Sequence, residues 1–268
     1  GYWRNDGKPT WTDRANTGVA SFDGTDDYIS MTDTNFPSGS SDRSISIWFS
    51  PNTTSTEQNL FHYGTDATAQ RISILGNNTS VALGINGCKV GIESLSLANT
   101  FTNIVFIIKG HTDDTELYIN GVSQSLSVLA GTAQSINTTL NGTAYIGRHY
   151  SATYWNGKVA GVNVFNTALT ATEISELYAI DKRSSISGHS QFNNCVGSLL
   201  MGAGDGDSTS TIQDQTSNNN DGTVNGASLI GYNDGTASGS PVEILIPEGS
   251  TEGRDNQGYY LSDTTLIS

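Results

Sequence analysis

The chain has 268 residues, of which 14% are charged and 35% hydrophobic, and its 12 basic against 26 acidic residues leave a formal charge of −14. That charge repels nucleic acid and anionic membranes at long range, and no run of 18 apolar residues is available to cross a bilayer, so neither partner is expected. Abundant Gly, Ser, Thr and Asn, without long Leu/Ala/Glu/Lys-rich stretches, argue against a helix bundle and for short strands joined by many turns.

The opening at Gly1 shows no signal peptide and is expected to be that of a fragment or a processed form. Apolar or alternating runs bounded by Gly, Asn, Asp and Ser predict strands over residues 19–22, 28–31, 44–49, 60–63, 71–75, 81–85, 89–94, 102–109, 116–119, 144–148 and 158–165. Ser44-Ile45-Ser46-Ile47-Trp48-Phe49 has the period of two expected of a strand with one face in a core, whereas residues 103–108 are apolar on both faces and belong centrally. Asn86-Gly87 and Asn120-Gly121 accept the positive φ angles of two-residue hairpin turns. Two packed antiparallel sheets follow from such a series.

One helix is expected. Thr170 with Glu173 forms a capping box, and Ile174, Leu177 and Tyr178 then share a face. Residues 181–194 are polar and read as a linker or a wrapping arm. Residues 195–230 faintly echo the start of the chain: Asp207, Ile212 and Asp214 repeat the spacing of Asp6, Trp11 and Asp13, as a repeat or by coincidence. Residues 216–225 read as a loop and residues 242–246 as a strand closed by Pro247. Cys88 and Cys195, one in each region, form no disulfide framework and lack metal-finger spacing, so free or buried thiols are expected.

Ser21-Phe22-Asp23-Gly24-Thr25-Asp26-Asp27-Tyr28-Ile29 resembles the opening signature of the laminin-G-like, concanavalin A-like lectin/glucanase jelly rolls. Residues 44–49, Glu116-Leu117-Tyr118-Ile119-Asn120-Gly121-Val122, Ala144-Tyr145-Ile146-Gly147-Arg148 with Trp155-Asn156-Gly157-Lys158-Val159, and Ala168-Leu169-Thr170-Ala171-Thr172-Glu173-Ile174 are similar to four later motifs, in family order. The resemblance implies an all-β, two-sheet antiparallel jelly-roll sandwich with one short helix. Residues 1–180 would form the laminin-G-like domain and residues 181–194 a linker. Residues 195–268 would be a strand- and loop-rich C-terminal extension, a partial repeat or an assembly arm. Ala160-Gly161 stands where many members carry an acidic pair. The Gly/Ser/Asn-rich tail with Pro247-Glu248-Gly249 resembles phage virion surface proteins in style.

The glucanases of this fold need two carboxylates about 5–5.5 Å apart, from alternate residues of one strand. Asp113-Asp114-Thr115-Glu116 is the nearest run, and it reads as a solvated turn. No Gly-x-Ser-x-Gly elbow is present, and His62, His111, His149 and His189 have no zinc-ligand spacing. No catalytic residue and no obligatory cofactor is therefore expected. Calcium is the metal to weigh, because many jelly rolls of this resemblance hold one at a sheet rim; Asp26 and Asp27 are the candidates, with turn formation as the plainer role. Asp205, Asp207, Asp214 and Asp221 read as a polar loop set. For ligand recognition, Arg148, His149, Tyr150 and Tyr154 concentrate aromatic faces that stack on sugar rings and donors that bond hydroxyls. Trp155 and His62-Tyr63 read as core or structural. Sequons at Asn52, Asn77, Asn78, Asn137 and Asn141 arise readily in an Asn/Thr-rich chain.

The expected function is a non-enzymatic virion surface protein attaching to glycans or to neighbouring subunits, and so a homo-oligomer or assembly component. The alternative is an extracellular carbohydrate-binding lectin or adhesion module, ahead of a glycoside hydrolase on the same fold.

Overall fold

A computed structural model describes residues 18–53, 56–149, 153–182, 184–202 and 206–230, together with two backbone pairs at 254–255 and 258–259. The expected strands appear as β1 (Val19–Asp23), β2 (Tyr28–Met31), β3 (Arg43–Pro51), β4 (Gln58–Gly64), β5 (Arg71–Gly76), β6 (Val81–Ile85), β7 (Cys88–Ile92), β8 (Thr102–Ile108) and β9 (Glu116–Ile119). β10 (Val122–Gln124), β11 (Ser127–Gly131), β12 (Ala144–Ile146) and β13 (Asn156–Phe165) follow. After helix α1 (Ala171–Ala179) come β14 (Cys195–Leu199), β15 (Thr211–Ile212), β16 (Gly222–Asn225) and β17 (Ser228–Ile230).

An eight-stranded sheet runs β10-β9-β8-β3-β13-β1-β17, with β14 also paired to β13, and a nine-stranded sheet runs β11-β7-β6-β5-β4-β12-β2-β16-β15. All these pairs are antiparallel, and the fold is a jelly-roll sandwich. One inward row of the eight-stranded sheet is Leu199, Val162, Ile47, Ile104, Ile119 and Val122 in register. It faces the row Val224, Ile29, Ile146, Phe61, Ile74, Leu83, Val90 and Val128 of the other sheet. Most members of both rows belong to one buried cluster with Trp155, Phe49 and Tyr63. Burial of such area supplies the main driving force for the sandwich, at roughly 25 cal/mol per Å².

A second, smaller cluster explains the helix. Thr170 caps α1 by accepting from the Glu173 N–H while the Glu173 carboxylate accepts from Thr170 N, and this pairing holds the Glu173 carboxyl below its usual range. Ile174 and Leu177 pack with Val105, Ile107 and Phe165 on the outer face of the eight-stranded sheet. Ile186 joins the same cluster, and the ring nitrogen Nε2 of His189 lies 2.9 Å from Glu173 O.

Beyond residue 195 the structure corrects one expectation. Residues 222–225 are strand β16, not loop, and β16 covers β2 in the nine-stranded sheet. Only Val224 is apolar there, so no periodicity marked it. Gly222 is packed so closely that a Cβ would sit 2.7 Å from Ile29 Cγ2 and 2.9 Å from Leu199 Cδ2. β14 and β17 likewise join β13 and β1, so β14 to β17 contribute to both sheets. Asp214 supports this segment by accepting the N–H groups of Ser198, Thr216 and Asn220.

Both cysteines are free and buried, and burial pushes the Cys195 thiol up to about 12. Residues 18–232 form one compact unit; residues 1–17 and 233–268 form another, in which the described part is an antiparallel pair, Arg254–Asp255 with Gly258–Tyr259. Asp6, Trp11, Asp205 and the strand expected at residues 242–246 lie outside the described residues. No helix among the described residues is long and apolar enough to cross a membrane.

Candidate functional site

Because strand side chains alternate between faces, the residues beside the buried Ile29, Ile146, Phe61 and Ile74 point outward. They are Ser30, Tyr145, His62 and Ser73, in register across β2, β12, β4 and β5. Tyr28 lies on this face one step along, paired with Asn225 of β16. β12 then ends at Ile146, earlier than the 144–148 expected. Gly147 has φ +85°, and a Cβ there would lie 2.5 Å from the Phe22 ring, so the chain turns out of the strand with only glycine able to fill the position.

The turn leads into a small hairpin over the same face. Arg148 bridges Tyr154, His149 N donates to Thr153 O at 3.0 Å, and Trp155 N donates to Gly147 O at 2.8 Å. Trp155 is fully buried edge-on to Phe49 and anchors the far end in the core, as the sequence indicates. The result places the Arg148 guanidinium 4.4 Å from the Tyr28 ring centroid, 4.8 Å from that of Tyr145 and 5.8 Å from that of Tyr154. Tyr28 and Tyr145 meet edge to face at 6.0 Å. All four side chains are half-buried, so each keeps surface available to a ligand.

Beneath this cage lies a polar base. His62 stacks on Tyr145 at 6.5 Å and meets His149 edge-on at 4.6 Å, and its Nδ1 lies 2.8 Å from Ser73 Oγ. Arg71 Nη1 donates to His149 Nε2 at 3.0 Å and pairs with Asp66. Both rings are buried. Burial pulls His62 down to about 3, with His149 and the Arg71 guanidinium adding to the effect; burial, then Arg71, lowers His149 too. His149 thus faces the base, while Arg148 and Tyr154 face the cage. Tyr150 lies outside the described residues. The site also gains Tyr28, Tyr145 and Asn225, which the sequence reading did not single out. The first two carried a signal in their alternation with buried neighbours.

The β1–β2 turn gathers Asp23, Asp26 and Asp27, with one carboxylate oxygen from each within 4.8 Å of the others. Asp27 is buried and accepts from Asp23 N at 2.9 Å, while Asp23 Oδ1 accepts from Thr25 N at 2.7 Å. Burial, and then its two acidic neighbours, raise the Asp27 carboxyl above its usual value. Asp113 and Asp114 lie in a 3-10 turn capped by His111, and Glu116 is ion-paired to Lys109 at 2.6 Å.

A family model described as the concanavalin A-like lectin/glucanases superfamily matches residues 23–175, more than half of the chain. No curated protein sequence matches. Among solved structures, the chain is similar to a "putative carbohydrate binding protein" from Bacteroides ovatus, with 16% identity and a TM-score of 0.55 over 80% of this chain; it spans only 59% of that one. It is also similar to a native heptameric SAP-like pentraxin from Limulus polyphemus, at 15% identity and TM-score 0.47 over 61% of this chain and 83% of that one. A third is the CBM40 of a Ruminococcus gnavus IT-sialidase bound to α2,3 sialyllactose, at 11% identity and TM-score 0.45 over 60% and 98%. At such identities the likeness is one of fold.

Proposed function

The chain belongs to the concanavalin A-like lectin/glucanases superfamily, and from that premise we propose that it is a non-enzymatic carbohydrate-binding module displayed outside a cell or on a virion. The observation that carries this reading is the Arg148 cage: three tyrosine rings around one guanidinium, all partly open, on the outer face of the nine-stranded sheet. A pyranose presents an apolar C–H face to an aromatic ring and hydroxyls at its rim to Arg and Tyr donors, so the cage matches both halves of a sugar. Asn225, paired with Tyr28, adds an amide at the margin. The non-enzymatic part is supported by the acids nearest a glucanase pattern, of which two lie in a capped turn and the third is ion-paired.

The experiment is a glycan array followed by calorimetry on the full chain, with Tyr145→Ala and Arg148→Ala as variants. Each should weaken binding of the selected glycan by at least about tenfold, equivalent to about 1.4 kcal/mol. An array without a hit, or affinity indifferent to both substitutions, would overturn the reading.

Calcium belongs to the same proposal. Asp23, Asp26 and Asp27 would supply three of the six to eight oxygens such an ion takes, and a cation there would offset the repulsion that Asp23 and Asp26 add to burial in raising the Asp27 carboxyl. Calcium should raise the melting temperature relative to chelator in the wild type and lose that effect in Asp27→Asn. Equal melting with and without calcium would remove the ion from the account.

A further inference from the structure

The two inward rows of the sandwich run out at one end at β10 in one sheet and β11 in the other. These are terminal strands of the eight- and nine-stranded sheets respectively, joined through Ser125 and Leu126. In register, Val122 follows Ile119 and Ile104 in one row, and Val128 follows Val90 and Leu83 in the other. Both are therefore core positions by pattern, yet Val122 is 63% and Val128 48% exposed. Ile119 and Leu126 between them are only partly buried. The core positions Val122 and Val128 are open here, along strands whose outer edges pair with no other strand among the described residues.

The charge distribution says what can cover such an edge. From residue 117 to residue 147 there is no charged side chain, the longest such run in a chain of net charge −14. Two copies repel one another over most of their surface and can approach where that run is exposed. Edge strands in monomers are commonly guarded by Lys, Glu or Pro, and Val122–Gln124 and Ser127–Gly131 carry none of these. An antiparallel edge is also self-complementary about a two-fold axis, so an identical strand is a sufficient partner.

We propose that this edge is a homodimer interface. β11 of one copy lies antiparallel to β11 of a second, and Val122 and Val128 of each copy close the open ends of both cores. β10, at three residues, is too short to carry the pairing. The bulge between Val128 and Ala130 keeps the paired stretch short, and two-fold pairing uses up the β11 edge of both copies. The contact is thus of the small, reversible class, and it holds whether or not the Arg148 cage binds sugar. If that site does bind, two copies present it bivalently.

Sedimentation velocity of the full chain tests the proposal. Dimer should be visible at about 100 µM and dissociate toward monomer near 1 µM, as for a small transient interface. Val128→Lys and Val122→Lys, at exposed positions that leave the fold intact by circular dichroism, should each raise the dissociation constant at least tenfold. Ala179→Lys changes the net charge equally on exposed helix surface and should leave it unchanged. Wild-type monomer throughout, a dimer that both valine variants retain, or dissociation by Ala179→Lys as well would overturn the interface. Glycan binding by a monomer would leave the Proposed function standing while this inference fails.

Discussion

Lowering the pH should loosen the base of the candidate site before it touches the rest of the fold. His62 is buried with a folded value of about 3 against 6.5 in the unfolded chain. A histidine kept neutral by folding contributes stability that is complete above 6.5 and is lost as pH falls from there toward the folded value. From these two values, His62 alone withdraws about 2 kcal/mol at pH 5 and about 3 kcal/mol at pH 4. His149, shifted the same way by burial and Arg71, adds to the loss, whereas Asp66 beside it opposes the loss. Urea unfolding followed by tryptophan fluorescence at pH 7.5 and 5.0 should show the difference in the wild type. In His62→Gln the pH dependence should shrink by about 2 kcal/mol. An unchanged pH dependence in the variant, or wild-type stability level between the two pH values, would refute the assignment of a neutral buried pair.

Two further substitutions probe the frame that holds the sheets. Arg43 is fully buried and donates to Pro37 O at 2.9 Å, Tyr63 Oη at 3.0 Å and Thr138 Oγ1 at 2.9 Å, tying the loop before β3 to β4 and to the chain before β12. Arg43→Met strands these buried acceptors and should cost on the order of 3 kcal/mol in urea unfolding, whereas a loss below 1 would show that the acceptors find other donors. Gly131 has φ +72°, and a Cβ there would come within 2.0 Å of Gly87 O. Gly131→Ala should therefore destabilise by at least about 2 kcal/mol and expose β11 to proteolysis; wild-type melting would show that the β7–β11 pair can shift apart.

Legibility followed the length over which each element is self-explanatory. Ser44–Phe49 alternates because Ile45, Ile47 and Phe49 enter the core while Ser44, Ser46 and Trp48 take the other face, and Thr170 with Glu173 caps a helix using groups three residues apart, so both could be read locally. The Asn120-Gly121 turn was legible, with φ of +50° and +77°, yet the strand it launches was not. Val122-Ser123-Gln124 carries one apolar residue, and its place is set by Ile119 across the hairpin. β14, β16 and β17 are weaker still, since their partners are β13, β2 and β1, strands earlier in the chain. Composition alone reads there as a linker with a strand- and loop-rich extension, and long-range pairing puts β14 and β17 in one sheet and β15 and β16 in the other.

The same distinction divides the site. Arg148 and Tyr154 stand close in sequence and stood out as a donor-rich aromatic loop, but Tyr28 reaches the guanidinium only because β2 pairs with β12 in one register. A slip of one residue would send Tyr145 into the core and Ile146 to solvent, which the burial of Ile29, Phe61 and Ile146 forbids. The apolar rows that stabilise the sandwich therefore also set which side chains surround Arg148. Substitutions that relax the core at Ile146 are expected to reach ligand binding through the register of this face.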